Sequence, residues 1–95
     1  MNDMQKYILR LYIAGITTDN QETVVKFKKM LKEKLGDDYT LEVIDILENP
    51  ELADNDKIVA TPTLVRALPS PVQSVIVDFN DSSKLLLGMD LILKD

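Results

Sequence analysis

The first hydrophobic pattern in the chain runs from Tyr7 to Ala14, where bulky apolar side chains occupy both alternating sets of positions. A second β-rich run extends from Tyr39 to Ile46, with Leu41 and Val43 on one face and Ile44 and Ile46 on the other. In an extended segment, successive side chains point to opposite faces, so a run that is apolar at both sets of positions has two faces to bury. The run from Tyr7 to Ala14 therefore predicts a strand that is buried on both faces of a sheet, and the run from Tyr39 to Ile46 predicts a second strand.

Between these runs, apolar residues recur at helical spacing and include Leu31 and Leu35. Asp19 is the predicted N-cap of this helix, and Glu22, three residues later, would complete a capping box. Gly36 suits the left-handed conformation that ends many helices. A helix of this length between two strands predicts a right-handed parallel βαβ unit.

The next segment is rich in turn signals. Asn49-Pro50 predicts the start of a short helix, with proline in the first helical position. Pro62 interrupts an apolar run, and because proline cannot donate to a sheet ladder, it predicts the opening of an edge strand. The β-rich runs Thr63–Leu68 and Ser74–Phe79 flank the loop Pro69-Ser70-Pro71, which predicts an antiparallel hairpin.

The C-terminal segment fits two structures. Asp81 can cap a helix from Ser82 to about Lys94, yet Gly88 would weaken that helix by ~1 kcal/mol relative to alanine. Helical spacing relates Leu86, Met89 and Leu93, whereas strict strand-like alternation relates Leu85, Leu87, Met89, Leu91 and Leu93. The helical interpretation gives the element order βαβαββα, a thioredoxin-like α/β arrangement.

Composition narrows the function more than the fold. The net charge of −5 argues against a nucleic-acid partner, which needs a basic surface. The chain has no cysteine and no histidine, which excludes thiol redox chemistry and removes the commonest metal ligand and general base. We therefore expect no catalytic residue, no metal and no cofactor. No apolar run approaches a membrane span and no signal peptide is evident, so a cytoplasmic protein without a membrane partner is expected.

Five ordered segments resemble the KaiB family of bacterial circadian-clock proteins, at matching spacing and without gaps from Lys6 to about Leu93. They are Tyr7 to Gly15; Val43 to Leu47 with Asn49-Pro50; Asp56 to Leu64; Leu68 to Val72; and Leu87 to Leu91. The resemblance implies that residues 1–95 form one KaiB-like domain.

The resemblance also implies that two folds are available to the chain. Members of the family adopt either a thioredoxin-like βαβαββα form or a βαββααβ form that occurs in dimers and tetramers. The two differ in their C-terminal halves, in agreement with the ambiguity of that segment here. In the thioredoxin-like form, the family's prolines at the positions of Pro62, Pro69 and Pro71 are cis. A homo-oligomer, dimeric or tetrameric, is expected for the unbound protein.

Four further positions match those that bias the balance between the two folds in the family. Tyr7, Gly88 and Asp90 fit the family pattern. Leu93 replaces a tyrosine that is common in clock members. The resemblance implies fold switching, with a balance that differs from that of clock members.

Three positions bear on partners, which in the family are a KaiC-type ATPase hexamer and, in clock members, KaiA. Glu22 stands where clock members have an arginine on the face that meets KaiC and a related kinase. Glu42 stands where they have a lysine on the strand that pairs with KaiA, and Lys57 is retained. Two sign reversals at contact positions would repel acidic partner groups. They predict a KaiC-like partner particular to this chain and count against KaiA.

The function implied by the resemblance is a non-enzymatic regulator that binds a KaiC-type ring and modulates its phosphorylation or ATPase state. The process would be circadian timing or a related stress or adaptation response. One alternative is a thioredoxin-like adaptor that docks on a histidine kinase. Another is a thiol-free enzyme of the thioredoxin class, which the segment Gly15-Ile16-Thr17-Thr18 disfavours because it offers no Cys-x-x-Cys nucleophile.

Overall fold

The computed structural model describes residues 6–78 and 80–93. Within them the elements follow the order βαβαββα, as the helical interpretation of the C-terminal segment predicts. Their bounds are β1 Tyr7–Ile13, α1 Thr18–Leu35, β2 Tyr39–Asp45, α2 Pro50–Asn55, β3 Thr63–Leu68, β4 Gln73–Ile76 and α3 Ser82–Leu93. Phe79 and Lys94, which the sequence placed at the ends of a strand and a helix, lie outside the described residues.

The strands of the described residues form one sheet in the order β2-β1-β3-β4. β1 and β2 are parallel and joined by α1, which confirms the predicted parallel pairing. β3 and β4 form the predicted antiparallel hairpin, and β3 also pairs antiparallel with β1. In the middle of the sheet, Leu11 stands between Val43 of β2 and Leu64 of β3.

The prediction that Pro62 opens an edge strand is wrong. β3, which begins at Thr63, lies between β1 and β4 and is an interior strand. Pro62 can precede it because it stands just outside the ladder, where no N–H is needed. Its carbonyl still contributes, because it accepts a hydrogen bond from the Val77 N–H at 2.9 Å.

The start of α1 also differs from the prediction. Thr17, rather than Asp19, is the N-cap, and its hydroxyl accepts a hydrogen bond from the Asn20 N–H at 3.0 Å. Asp19 lies in the first turn, where its negative charge complements the positive end of the helix dipole. Glu22 is therefore too far along the helix to complete a capping box. The predicted end is confirmed, since Gly36 has φ +63 and its N–H donates to the Lys32 carbonyl at 2.8 Å.

α2 begins as predicted, with Pro50 in its first turn and Asn49 in the N-cap position. The Asn49 side chain makes no capping hydrogen bond. Its Nδ2 instead donates to the main-chain carbonyl of Asp45 at 3.2 Å, which ties α2 to the end of β2.

The two faces of the sheet bury different clusters. α1 and α3 cover the first face, where the buried residues are Leu9, Leu11, Ile13, Phe27, Leu31, Leu64, Val77, Leu85, Met89 and Ile92. α2 contributes to the second face, where the buried residues are Tyr12, Ile44, Ala53 and Val65. The two-sided apolar pattern of β1 follows from this layering, because each of its faces meets a helix.

The C-terminal segment is helical. The Asp81 carboxylate accepts hydrogen bonds from the main-chain N–H groups of Ser83 and Lys84 at 3.0 and 3.2 Å, which confirms the predicted cap. Leu85, Met89 and Ile92 are buried at helical spacing against the sheet. The strand-like alternation has no structural counterpart here, because Leu87 and Leu91 are exposed.

Candidate partner-binding surface

Three connecting segments meet at one end of the sheet. Ile13, the last residue of β1, is paired with Asp45, the last residue of β2. Thr63, the first residue of β3, is paired with Tyr12 of β1. The segments that connect β1 to α1, β2 to α2, and α2 to β3 therefore lie side by side.

Hydrogen bonds hold two of these segments together. Asp45 Oδ1 accepts from the main-chain N–H of Gly15 at 2.8 Å and from that of Leu47 at 3.0 Å. Gly15 has φ +90, and a Cβ at this position would lie 3.5 Å from Leu47 Cδ1. The Asn20 side chain donates to the Gly15 carbonyl at 2.7 Å. The main chain at this end of the sheet is thus fixed by specific contacts.

The side chains at this end leave large apolar groups in solvent. Val59 is 90% exposed, Leu47 70% and Ile16 63%. Exposed apolar residues that gather at one end of a domain mark a candidate interaction site. We call the following residues the loop-end surface: Ile16, Leu47, Leu52, Lys57 and Val59.

Lys57 has a special backbone conformation within this surface. Its φ of 57° is in the left-handed region, which is uncommon for residues other than glycine. Neighbouring contacts maintain it, since the Lys57 N–H donates to the Asp54 carbonyl at 3.1 Å and the Ile58 N–H to the Ala53 carbonyl at 2.9 Å. The turn ends α2, directs Ile58 toward the second cluster and leaves Lys57 exposed.

A polar group that the sequence analysis missed lies beneath α2. Asp56 Oδ2 is 3.1 Å from Arg10 Nη1 and also accepts a hydrogen bond from the Tyr12 hydroxyl. Burial, followed by the hydrogen bond to Asp56, raises the pKa of Tyr12 well above its usual value. The available sequence signal was the placement of Arg10 and Tyr12 on the same face of β1.

The other predicted partner-contact residues are at separate places. Glu22 is exposed and lines an open groove that also includes Asp19, Lys26, Pro62 and Asp78. The structure therefore places Glu22 and Pro62 on the same groove. The residues that line this groove include Asp19, Asn20, Glu22, Thr23, Lys26, Thr61 and Pro62.

Glu42 lies on β2, which forms one edge of the sheet. Its side chain is 63% exposed, and its carboxylate is 3.9 Å from Arg10 Nε. Glu42 therefore belongs to the strand edge and to the surroundings of Arg10. It does not belong to the groove.

The positions predicted to bias the fold mostly lie toward the opposite end of the sheet. The Tyr7 hydroxyl donates to the Leu93 carbonyl at 3.1 Å, and Asp90 Oδ1 is 3.4 Å from Lys34 Nζ at the end of α1. Gly88 faces Val75 of β4. These contacts attach α3 to β1, to α1 and to β4.

The predicted prolines take the cis form. The bonds Thr61-Pro62, Leu68-Pro69 and Ser70-Pro71 are all cis. The second and third lie in the hairpin loop between β3 and β4, and the first lies beside the groove that contains Glu22.

Within residues 6–78 and 80–93, no three His, Cys, Asp or Glu residues are grouped so that they could hold a metal ion. In the same part of the chain, none of the helices is long and apolar enough to span a bilayer. The chemistry that the surface offers is apolar contact, exposed charge and main-chain hydrogen bonding.

Comparison with solved structures identifies the fold. The N-terminal domain of SasA from Synechococcus elongatus superposes with a TM-score of 0.74, at 22% identity, covering 98% of this chain and 88% of that one. The thioredoxin Deadhead from Drosophila melanogaster gives a TM-score of 0.68, at 22% identity, covering 94% and 83%. The chain has a thioredoxin-like fold.

Comparison of sequences identifies the family. The KaiB domain model matches residues 10–91. The circadian clock protein KaiB3 of Synechocystis sp. is 42% identical over 90 residues, which is 95% of this chain and 88% of the relative. The circadian clock oscillator protein KaiB of Synechococcus elongatus is 45% identical over 92 residues, or 97% and 90%. The chain therefore belongs to the KaiB family.

Proposed function

We propose that this protein is a non-enzymatic regulator that binds a KaiC-type ATPase ring in the cytoplasm and modulates the phosphorylation or ATPase state of that ring. The process is circadian timing or a related stress or adaptation response, with residues 1–95 acting as one domain. The observation that carries the proposal is the loop-end surface, an exposed apolar set with Lys57 on a KaiB-family chain in the thioredoxin-like form.

Burial of the apolar side chains would supply the attraction. Complete burial of a side chain such as Leu47 contributes about 1.5–3 kcal/mol, and Val59 and Ile16 are comparably exposed. Association has its own cost in lost rotational and translational freedom, so the area alone does not set the affinity. The hydrogen bonds of Asp45 to Gly15 and Leu47 reduce that cost, because they order part of the surface before the partner arrives.

The negative charges of Glu22 and Glu42 favour a ring with basic groups at the contact. Glu22 is exposed, lines the same groove as Pro62 and carries a negative charge. A partner with basic groups opposite Glu22 would be attracted, and one with acidic groups would be repelled. Glu42 gives the edge of β2 a negative charge as well, which counts against KaiA as a partner.

The proposal includes a monomer as the ring-bound state and a dimer or tetramer as the unbound state. Fold switching would connect them, with the ring selecting the thioredoxin-like form. When the binding-competent form is rarely populated, the apparent affinity falls in proportion to its population. Slow switching between the two forms would in addition delay the complex, so its slow appearance is the expected kinetic behaviour.

Native mass spectrometry with the ATP-loaded KaiC-type hexamer of the same organism tests this proposal. The expected result is the slow appearance of ring-bound monomers, up to one per ring subunit. Lys57→Glu and Val59→Asp should each reduce the ring-bound fraction, because both change exposed side chains of the loop-end surface. Lys84→Glu is the matched control, since Lys84 is an exposed lysine on α3. Self-oligomers that do not bind the ring within a day would contradict the proposal.

A second candidate function is docking on a histidine kinase. The loop-end surface favours it to the same extent, because apolar contact with one exposed lysine does not by itself distinguish a kinase from a ring. Purified sensor kinase from the same organism should therefore be added in a parallel measurement. Binding to the kinase, together with indifference to the ring, would replace the first function by the second.

A further inference from the structure

We infer that Arg10, Tyr12 and Asp56 form a polar latch that positions α2 and Lys57 for partner binding. None of the three needs to touch the partner, so they are positioning residues. The inference rests on the proposed function for its biological role. The structural part of the inference is that the latch orders residues 52–58, and this part concerns the free protein alone.

The latch is built around one carboxylate. Asp56 Oδ2 lies 3.1 Å from Arg10 Nη1, and Oδ1 lies 3.4 Å from the same nitrogen. The Tyr12 hydroxyl donates to Oδ2 as well. The Tyr12 side chain is completely buried and that of Asp56 is 17% exposed, whereas that of Arg10 is 34% exposed, so the contact between Tyr12 and Asp56 is the better shielded from water. Charge-assisted hydrogen bonds of this kind are stronger than those between neutral groups.

The same hydroxyl reaches the main chain of α2. Tyr12 Oη is 3.2 Å from the Leu52 carbonyl, which also accepts from the Asp56 N–H at 3.1 Å. One side chain of β1 thus contacts both the backbone of α2 and the residue that follows the helix. The latch connects the middle and the end of this short element to the sheet.

α2 needs such support because it is only six residues long. Isolated helices of fewer than about 12 residues are marginal in water, so tertiary contacts must hold this one. Apolar packing is limited, with Ala53 buried and Ile58 packed beside the second cluster. The polar contacts of Asp56 therefore form a large part of what attaches this segment to the sheet.

Lys57 follows Asp56 directly, in the left-handed conformation. When Asp56 is fixed by Arg10 and Tyr12, the direction in which the chain leaves α2 is fixed as well. The exposed Lys57 and Val59 are then ordered before the partner arrives. Ordering a binding loop in advance raises affinity, because less conformational entropy is lost on association.

Glu42 is another charged group near the latch, with its carboxylate 3.9 Å from Arg10 Nε. Glu42 is the more exposed of the two carboxylates, at 63% against 17% for Asp56. Its contact is also the longer one. Arg10 is therefore held mainly by Asp56, and Glu42→Gln serves as a control that changes the surroundings of Arg10 without removing the latch.

Hydrogen exchange of the free protein tests whether the latch orders residues 52–58. Tyr12→Phe removes only the hydroxyl and retains the buried ring, while Asp56→Asn keeps the shape and removes the charge. Both should raise amide exchange for residues 52–58 by about tenfold relative to the β1 amides, as expected for the loss of one charge-assisted hydrogen bond. Tyr39→Phe and Glu42→Gln should leave these amides unchanged. Wild-type exchange of residues 52–58 in both latch variants would overturn the inference.

Binding to the KaiC-type ring then tests whether the latch positions Lys57 for the partner. Tyr12→Phe should weaken binding about tenfold in the wild-type background and much less in the Lys57→Glu background, because the latch acts through this segment. Equal weakening in both backgrounds would overturn the positioning role. If the wild-type protein fails to bind the ring, the proposed function fails, whereas faster exchange in Tyr12→Phe would still support the latch.

Discussion

The hydroxyl of Tyr7 donates a hydrogen bond to the main-chain carbonyl of Leu93 at 3.1 Å, which joins the first residue of β1 to the last residue of α3. The final carbonyls of a helix have no donor within the helix and need partners from elsewhere. Arg66 of β3 supplies a second donor, since its Nη1 lies 2.9 Å from the Ile92 carbonyl. The end of α3 is thus satisfied by side chains from two strands.

Removal of the Tyr7 hydroxyl should weaken this attachment. Tyr7→Phe keeps the aromatic ring and loses one hydrogen bond, so the free energy of unfolding should fall by about 1 kcal/mol. Urea unfolding followed by circular dichroism measures the change. Tyr39→Phe is the control, because the Tyr39 hydroxyl is at 3.5 Å from the Lys28 carbonyl in an exposed contact. A loss as large in Tyr39→Phe as in Tyr7→Phe would contradict the assigned role.

Arg66 should matter more than Tyr7. It is 3% exposed, and its two terminal nitrogens lie 2.9 Å from the Ile92 and Pro71 carbonyls. Arg66→Met would remove donors from two acceptors, which should lower the free energy of unfolding by about 3 kcal/mol. Arg66→Lys should lose less, since it keeps the charge but lacks the planar fork that reaches both acceptors.

Calorimetric and urea unfolding of the Arg66 variants measure these losses. Lys84→Met is the control, because a substitution at this exposed lysine should change stability by no more than about 0.5 kcal/mol. An Arg66→Met protein as stable as the wild type would show that relief from burying a charge cancels the lost hydrogen bonds.

The sequence predicted the element order because most of it is encoded locally. The two-sided apolar run of β1 and the glycine at Gly36 were sufficient for their elements. The C-terminal segment was ambiguous because two apolar periodicities overlap there. Tertiary contacts decide between them here, since Leu85 and Met89 pack on the sheet while the Leu93 carbonyl is satisfied by Tyr7.

The errors have physical causes as well. The pattern at Pro62 predicts an edge strand because proline has no N–H for the ladder, whereas the ladder begins one residue later. The latch was missed because Tyr12 and Asp56 are 44 residues apart, and no local pattern reports such a contact. The sequence favours Asp19 over Thr17 as the N-cap because Asp19 and Glu22 match the more familiar capping-box pattern.

At Gly88 we predict a substitution that stabilises the protein, whereas those at Tyr7 and Arg66 destabilise it. A Cβ at this position would lie 3.4 Å from Val75 Cγ2, which is ordinary van der Waals contact. Gly88→Ala should therefore gain helix propensity without a clash and stabilise the helical form of α3 by about 1 kcal/mol. Carbon secondary shifts of residues 82–93 and urea unfolding together measure this effect.

Gly36→Ala is the informative control for Gly88→Ala. Nothing lies within 4 Å of a Cβ at Gly36, but φ is +63, so alanine would be strained there and should destabilise the protein. Unchanged secondary shifts in α3 of Gly88→Ala would contradict a bias toward the helical form.

Tyr12 predicts how stability depends on alkaline pH. Burial first, and then its hydrogen bond to Asp56, raise the pKa of Tyr12 in the folded protein well above the usual value of about 10. Above pH 10 the unfolded chain therefore releases the Tyr12 proton while the folded chain keeps it. Because the folded state then binds more protons, stability falls as pH rises, and the contribution of Tyr12 is complete only below about pH 9.

Tyr12→Phe isolates this contribution, since every other titratable group is common to both proteins. At pH 8 the wild type should be the more stable protein because it retains the latch hydroxyl. Above pH 10 the difference between the two unfolding free energies should narrow, by up to about 1.4 kcal/mol per pH unit. Urea unfolding by circular dichroism at pH 8, 9, 10 and 10.5 measures it. A difference that stays constant over this range would mean that Tyr12 ionises equally well in the folded protein, against the buried and hydrogen-bonded environment described above.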